Sequence, residues 1–363
     1  MVRLSGSCHL TFAFEVGQNI DLEAGERCLG PTERQTVRSR QRVPRDFEYS
    51  PPPLRLGQEP PALTVAGRGI TRVDVVLYDF GAAAVNYALP YTGSLSGLVP
   101  VSVELQETEG LARDARTRLE GVVATLGEAI TRARVAELVE DYLIIQIDTL
   151  EDGADARELV SEQARETTAQ ILRGVGEPLA AEEVDDALRL RLSFGRSDLT
   201  LVDWNAAVIF DPEPEETRVL LEFANVQLLE LRHLDAELDR ALDEAYESLG
   251  RSERGWLGMR PPASAMRRLG ELQVDGAVLF ERVSNALKLV GDRFLGRVYV
   301  AASQRFYFDT WDHTITRKLG VMEGIYEKLT DRVTARRLEA LEWIVILLIG
   351  LELVFGFFGV TRR

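Results

Sequence analysis

The sequence predicts a mixed α/β or α+β N-terminal domain, then long coiled-coil-like helices, then one C-terminal transmembrane helix. Three observations predict it. Strand-like runs alternate with segments of helical period as far as Asp211. Beyond Asp211, apolar residues recur at alternating spacings of four and three. Residues 343–360 hold thirteen residues of the Leu, Ile, Val and Phe set and a single charge, Glu352. The expected boundaries are a soluble domain over 1–211, a helical stalk over 212–337 and a membrane tail over 338–361.

Residues 9–22 read as a strand that places Phe12, Phe14 and Val16 on one face. A loop rich in arginine and proline follows over about 31–57, carrying Arg34, Arg38, Arg40, Arg42 and Arg45 ahead of Pro51, Pro52 and Pro53. No aromatics interleave with these arginines, so a solvated loop is the simpler reading and a phosphate-binding loop the alternative. Residues 73–89 read as two strands folded near Phe80 and Gly81. No phosphate-cradling glycine motif follows a strand anywhere in the chain.

Residues 107–134 are helical in period, with Leu111, Leu119, Val122, Leu126 and Ile130 recurring. Residues 142–148 suit a buried strand, 154–172 and 181–190 two helices, and 199–210 one or two strands. Asp211 then caps a helix whose first turn holds prolines and acids. That helix is expected over 217–249, with a seam of Leu220, Ala224, Gln227, Leu231, Leu234, Leu238, Ala241 and Ala245. Glycines and prolines over 250–263 break it. Two further seams follow, over 264–290 and 297–337. The third runs Phe308, Asp312, Ile315, Leu319, Met322, Tyr326, Leu329 and Val333, and it continues without proline into the apolar tail.

That tail sets the expected location. Thirteen apolar side chains favour insertion by about 4–8 kcal/mol, and one central acid costs ~3 kcal/mol. Eighteen helical residues reach about 27 Å, near the ~30 Å hydrocarbon core. With no signal peptide at the N-terminus, the expectation is a tail anchor in the cell (inner) membrane with the body in the cytoplasm. Glu342, Glu352, Gly356 and Gly359 fall on one face with Val345 and Ile349, and Trp343 suits the interface. Small residues and a polar group on one face predict self-association of this helix, so the expected partners are the lipid bilayer and further copies of the chain.

The composition of 45% hydrophobic and 28% charged residues is that of a folded protein of 363 residues. A net charge of −16 argues against general attraction to nucleic acid. Cys8 and Cys28 read as free thiols. His9, His233 and His313 stand in no metal-binding spacing, so no cofactor or metal is expected. Asp203, Asn205 and Asp211 are the one polar cluster suggested by spacing. On a shared strand face they could hold a hard cation, although polar residues on a solvent face plus a helix cap explain them more simply.

The C-terminal segment RLEALEWIVILLIGLELVFGF, with YDFGAAAVNYAL and DWNAAVIFD upstream, resembles the required-for-meiotic-nuclear-division family. Glu342, Trp343 and Glu352 match that family's tail pattern, and Tyr78 and Gly81 its hairpin. The resemblance implies a coiled coil, one membrane helix and no enzymatic activity. Mitochondrial members of that family are linked to translation, so a ribosome or another protein assembly is the partner it implies. The expected function is a membrane-anchored oligomeric scaffold without catalysis and with no evident small-molecule substrate. An oligomeric cation-transport element with a ring of Glu352, or an unrecognised hydrolase or ligand-binding domain, are the alternatives.

Overall fold

The computed structural model describes residues 3–30, 33–34, 51–151, 155–195, 198–211, 214–254, 267, 270–272, 274 and 293–360. They divide into two compact units, one of residues 1–233 with 279–310 and one of residues 234–278 with 311–363.

The first unit opens with β1 (Arg3–Glu15), β2 (Asn19–Ile20), α1 (Leu22–Leu29), β3 (Glu33–Arg34) and β4 (Leu54–Gln58). Then come β5 (Thr64–Val65), β6 (Arg68–Gly69), β7 (Arg72–Leu77), β8 (Ala82–Ser94), α2 (Leu95–Gln106) and α3 (Glu109–Leu126). It continues with β9 (Ile130–Thr131), β10 (Val139–Leu150), α4 (Arg165–Arg173), α5 (Ala181–Ala187), β11 (Arg191–Leu192), β12 (Leu199–Val202) and β13 (Ala206–Phe210). The helices α6 (Pro214–Arg254), α7 (Arg293–Arg305) and α8 (Phe308–Val360) follow.

Nine strands form one sheet in the order β11-β12-β13-β10-β1-β8-β7-β4-β3. Each pairing is antiparallel except β10 with β13. Of the two fold classes the sequence leaves open, this is the α+β one. β1 lies at the centre because both its faces are covered. Cys8, Leu10, Phe12 and Phe14 enter one core, while Thr11 and Ala13 are buried on the opposite face. The β7–β8 hairpin falls where the pattern predicts it. Gly81 turns it at φ 100°, and a Cβ there would stand 1.8 Å from the Gly17 carbonyl oxygen. Only glycine fits both the dihedral and the approach.

One face of the sheet is covered by α2, α3 and α4. Leu98, Val101, Leu105, Leu111, Leu119 and Val122 pack there against Leu10, Phe14, Val85 and Ile145. The start of α2 is fixed by Ser94, whose hydroxyl accepts from the Gly97 amide at 3.1 Å. On the other face, Val226, Leu229 and Phe223 of α6 meet Ala13, Val76, Tyr78, Phe80, Ala82 and Ala84.

Several expectations need correction. The helix predicted over 107–134 stops at Leu126, where Gly127 takes φ 52° and the chain turns into β9. The helix predicted over 154–172 is split into a short 3-10 turn, Ala156–Val160, and α4, because Ser161 takes an extended conformation at ψ 160°. The third helical segment is broken between α7 and α8, where Tyr307 has φ 56° and Phe306 turns its ring edge-on to Tyr142 at 5.2 Å. The seam of α6 is buried along its whole length. Its first half packs on the sheet and α7, with the Tyr299 hydroxyl donating to the Gln227 carbonyl oxygen at 2.7 Å. That half is a stripe packed on the domain and not a coiled-coil interface. The seam predicted over 264–290 lies outside the described residues.

In the second unit, the later part of α6 packs beside α8. Leu234, Leu238, Ala241, Ile315 and Met322 are buried there. The Lys318 ammonium donates between Asp235 at 2.7 Å and Asp239 at 2.6 Å.

The largest correction concerns the tail. Among the described residues no helix is long and apolar enough to cross a membrane. The apolar stretch is the end of a 53-residue helix. The tail anchor over 338–361 and the single-pass placement in the cell membrane are therefore overturned. The assignment of Glu342 and Trp343 to membrane-helix association presupposes such a span. A ring of Glu352 carboxylates lining a pore would require the same span.

Candidate functional site

The most concentrated chemistry in the first unit lies between the sheet and the start of α6. Strand register builds it in rows. Gly57, Asp74, Asn86 and Thr11 are consecutive cross-strand neighbours, so they share a face. One row further along lie Arg72, Ala88 and His9, and one row in the other direction lie Arg55, Val76, Ala84 and Ala13. The helix adds Arg218 and Glu222, which stand four apart and so point the same way.

Glu222 is the hub. Its carboxylate accepts from Arg218 Nη1 at 2.6 Å and from Asn86 Nδ2 at 3.2 Å, and Arg55 Nη2 stands 3.9 Å away. Asp74 binds Arg72 Nε at 2.8 Å and Arg55 Nη1 at 3.4 Å. Arg55, Asp74, Arg218 and Glu222 are all buried. Two guanidiniums are thus set against two carboxylates, the composition a buried charge cluster needs in order to persist. Several atoms remain without a hydrogen-bond partner among the described residues: Arg55 Nε and Nη2, Arg218 Nε, Asn86 Oδ1 and Thr11 Oγ1.

At the outer edge of the cluster, Ser7 Oγ lies 2.8 Å from His9 Nε2. The contact has the reach of a nucleophile and its base, but the electrostatics oppose that chemistry. Burial, with the guanidiniums of Arg218, Arg72 and Arg55, pushes the His9 imidazole down to about 3. A serine nucleophile needs its histidine to become imidazolium. Here that cation would form beside three others with no orienting carboxylate assigned to it. The site is built to hold a neutral histidine.

A second network joins α4, α5, α7 and the β12–β13 turn. Arg305 contacts Asp203 at 3.3 Å and Asp186 at 2.9 Å, and Arg173 contacts the same two acids at 3.1 and 2.6 Å. Tyr142 donates its hydroxyl to the Asp203 carbonyl oxygen at 2.8 Å. Burial raises the Asp203 carboxyl, and Arg305 and Arg173 oppose that rise.

This arrangement corrects the polar cluster expected of Asp203, Asn205 and Asp211. Asp203 and Asn205 lie in the turn before β13 and Asp211 lies beyond its far end, so they share no strand face. Asp203 is committed to two arginines, and the Asn205 carbonyl oxygen accepts from the Leu143 amide. No group of three or more His, Cys, Asp or Glu among the described residues is arranged to hold a metal ion. Of the arginine-rich loop, Arg34 pairs its backbone with Leu54 in the sheet, while Arg38, Arg40, Arg42 and Arg45 lie outside the described residues. Glu342 and Trp343 are exposed on α8, and the side chains of Glu352, Gly356 and Gly359 lie outside those described. An open groove of about 830 Å³ beside α2 is lined by Ser96, Val103, Glu104, Glu107, Thr167 and Gln170. It contains no residue of either network.

Sequence reasoning passed over Arg55, Asp74, Asn86, Arg218 and Glu222. Two of them carried a signal. Asp74 interrupts the apolar run of β7 and Asn86 that of β8, and a polar side chain in a strand buried on both faces must find a partner.

A Methanocaldococcus jannaschii protein described as uncharacterized protein MJ0711 is 24% identical over 189 residues, which make up 52% of this chain and 58% of that protein. The chain thus spans little more than half the length of this relative. No solved structure matches. Neither comparison points to the required-for-meiotic-nuclear-division family that the tail pattern resembles. Residues 5–216 match the family described as the N-terminal domain of uncharacterized protein MJ0711, and they cover the sheet, its flanking helices and the first turn of α6; the chain belongs to that family.

Proposed function

We propose that this chain is a non-catalytic assembly protein that associates with further copies of itself through the apolar end of α8. The observation that carries the reading is seven consecutive large apolar residues, Trp343 to Ile349, each 52–67% exposed. Seven successive helical positions point in every direction around the axis. A helix apolar on all sides is stable when something covers it. With no described helix suited to a bilayer, the covering we infer is protein. Covering half-exposed side chains of this size returns about 1 kcal/mol each, roughly 7 kcal/mol for the run, against an association cost of ~4–15 kcal/mol. One facing helix covers only part of the circumference, so a bundle of several copies gains more than a pair.

The test is the native mass of the full chain by light scattering, for the wild type and for Ile346→Glu with Leu347→Glu. The expected result is an oligomer for the wild type and a shift to monomer for the variant, with unchanged helix content. A wild type that stays monomeric up to about 1 mM, where even a net ~4 kcal/mol associates appreciably, overturns the proposal.

A further inference from the structure

We propose that the groove between α2 and α4 takes an extended, arginine-rich segment of a partner protein. It is the open groove of about 830 Å³ beside α2. Its α2 wall runs from Ser96 to the C-cap Glu107, about 16 Å, the length of roughly five extended residues. Val99, Pro100 and Val103 supply the apolar part of that wall, and Thr167 and Gln170 of α4 line the other side.

The charges of the groove are of one sign. Glu104 and Glu107 stand three apart, so they project from neighbouring points of the helix surface. Both are exposed, and neither forms an ion pair among the described residues. The Glu104 carboxylate accepts from the neutral Ala66 amide at 2.8 Å, which leaves its charge uncompensated. Among the described residues no lysine, arginine or histidine lines the groove.

The helix adds to this field. Both acids lie at the C-terminal end of α2, the negative end of its dipole, and its last turn holds no basic residue. The positive end of α3, which follows at Glu109, is covered by that acid. Pro100 has no amide to give the Ser96 carbonyl four residues back, so one more acceptor of α2 stands on the groove wall without its helical donor. Thr108 is the N-cap of α3 but makes no side-chain capping bond, and it lines the groove.

Acceptors and negative charge beside an apolar strip are the complement of an arginine side chain. The guanidinium brings several donors and a permanent charge, and its methylene stem lies along apolar surface. Two copies of a chain of net charge −16 repel one another. Val99, Pro100 and Val103 are too few to offset that, so the occupant is a segment of another protein.

The test uses the full chain in about 0.15 M salt, with a fluorescent octapeptide of alternating arginine and valine and a counterpart carrying glutamine for each arginine. Fluorescence anisotropy should show saturable binding of the arginine peptide, one per chain, and at least about tenfold weaker binding of the glutamine peptide. The Val99 and Val103 methyl resonances should shift with the same saturation. Glu107→Lys should weaken binding at least about tenfold. Glu120→Lys makes an equal change of charge about 18 Å along α3 from Thr108, beyond the ~8 Å screening length, and should leave binding within about twofold. Glu107 and Glu120 are exposed, so both variants should keep the fold. Pro100→Lys sets a cation in the groove at an exposed position and decides the matter if Glu107→Lys loses its fold. Equal binding of the two peptides, equal losses from the Glu107 and Glu120 variants, or no saturation overturns the site. A native mass that falls in Glu107→Lys, with no peptide bound by the wild type, assigns the groove to a second copy and overturns the partner.

Discussion

The two faces of the nine-stranded sheet bury similar lengths of strand by different means. Toward α2, α3 and α4 the strands present Leu10, Phe12, Phe14, Val85, Tyr87 and Ile145, an aliphatic and aromatic surface whose neighbours are also apolar. Toward α6 they present Ala13, Ala82 and Ala84 together with Thr11, Asp74, Asn86 and Arg55. The first face depends on area removed from water and on close packing. The second depends on small residues that let a helix approach, and on charges that exist only because their partners do. Burial alone therefore does not say what holds a surface together, and the two faces should fail differently.

Phe14→Ala on the apolar face should destabilise by ~3–5 kcal/mol, read from urea unfolding, and no second substitution nearby should restore much of that loss. Glu222→Leu on the α6 face should cost a comparable ~3–5 kcal/mol by leaving Arg218 with one exposed acid and Arg55 with Asp74 alone. Replacing Arg218 by Met in the same chain should recover most of it. A double variant no better than the single one would show that the pair does not act as a unit.

The α6 face should also respond to pH. Glu140, opposite Ala13 on β10, is buried against Arg232, and burial raises its carboxyl to about 7 despite that arginine. The folded state holds this proton more tightly than the unfolded chain. Its contribution is therefore fully present below about pH 4.5 and is lost as pH rises through about 7. Between those limits the loss is about 3 kcal/mol. Glu140→Gln should flatten that slope in denaturant midpoints measured from pH 4.5 to 8, and an unchanged slope would assign it elsewhere. At the small end, removing the exposed pair of Arg3 and Glu151 should change stability by less than ~0.5 kcal/mol.

This contrast also explains what could be read from the letters. The apolar face is legible because its signal is the same as its cause: Phe12 and Phe14 alternate, and Leu111, Leu119, Val122 and Leu126 recur at helical spacing and are buried. The seam of α6 from Leu220 to Ala245 is legible for the same reason. The charged face is not. Arg55, Asp74 and Glu222 look like solvated residues until β4, β7 and α6 are brought together, and strand order is not contained in any local pattern. α2 escaped because Pro100 lies inside it. The tail misled because hydropathy measures aversion to water and leaves open whether lipid or protein relieves it.

The central place of β1 has a further consequence, in time. β1 ends at Glu15, yet its two neighbours begin at Ala82 and Val139. At ~5–20 residues per second, the ribosome delivers the second of them roughly 6–25 seconds after the first strand has emerged. A segment carrying Leu10, Phe12 and Phe14 has both edges open until β8 is made, and one edge open until β10 is made. The strand order thus leaves a central strand incompletely paired for most of the synthesis of the sheet.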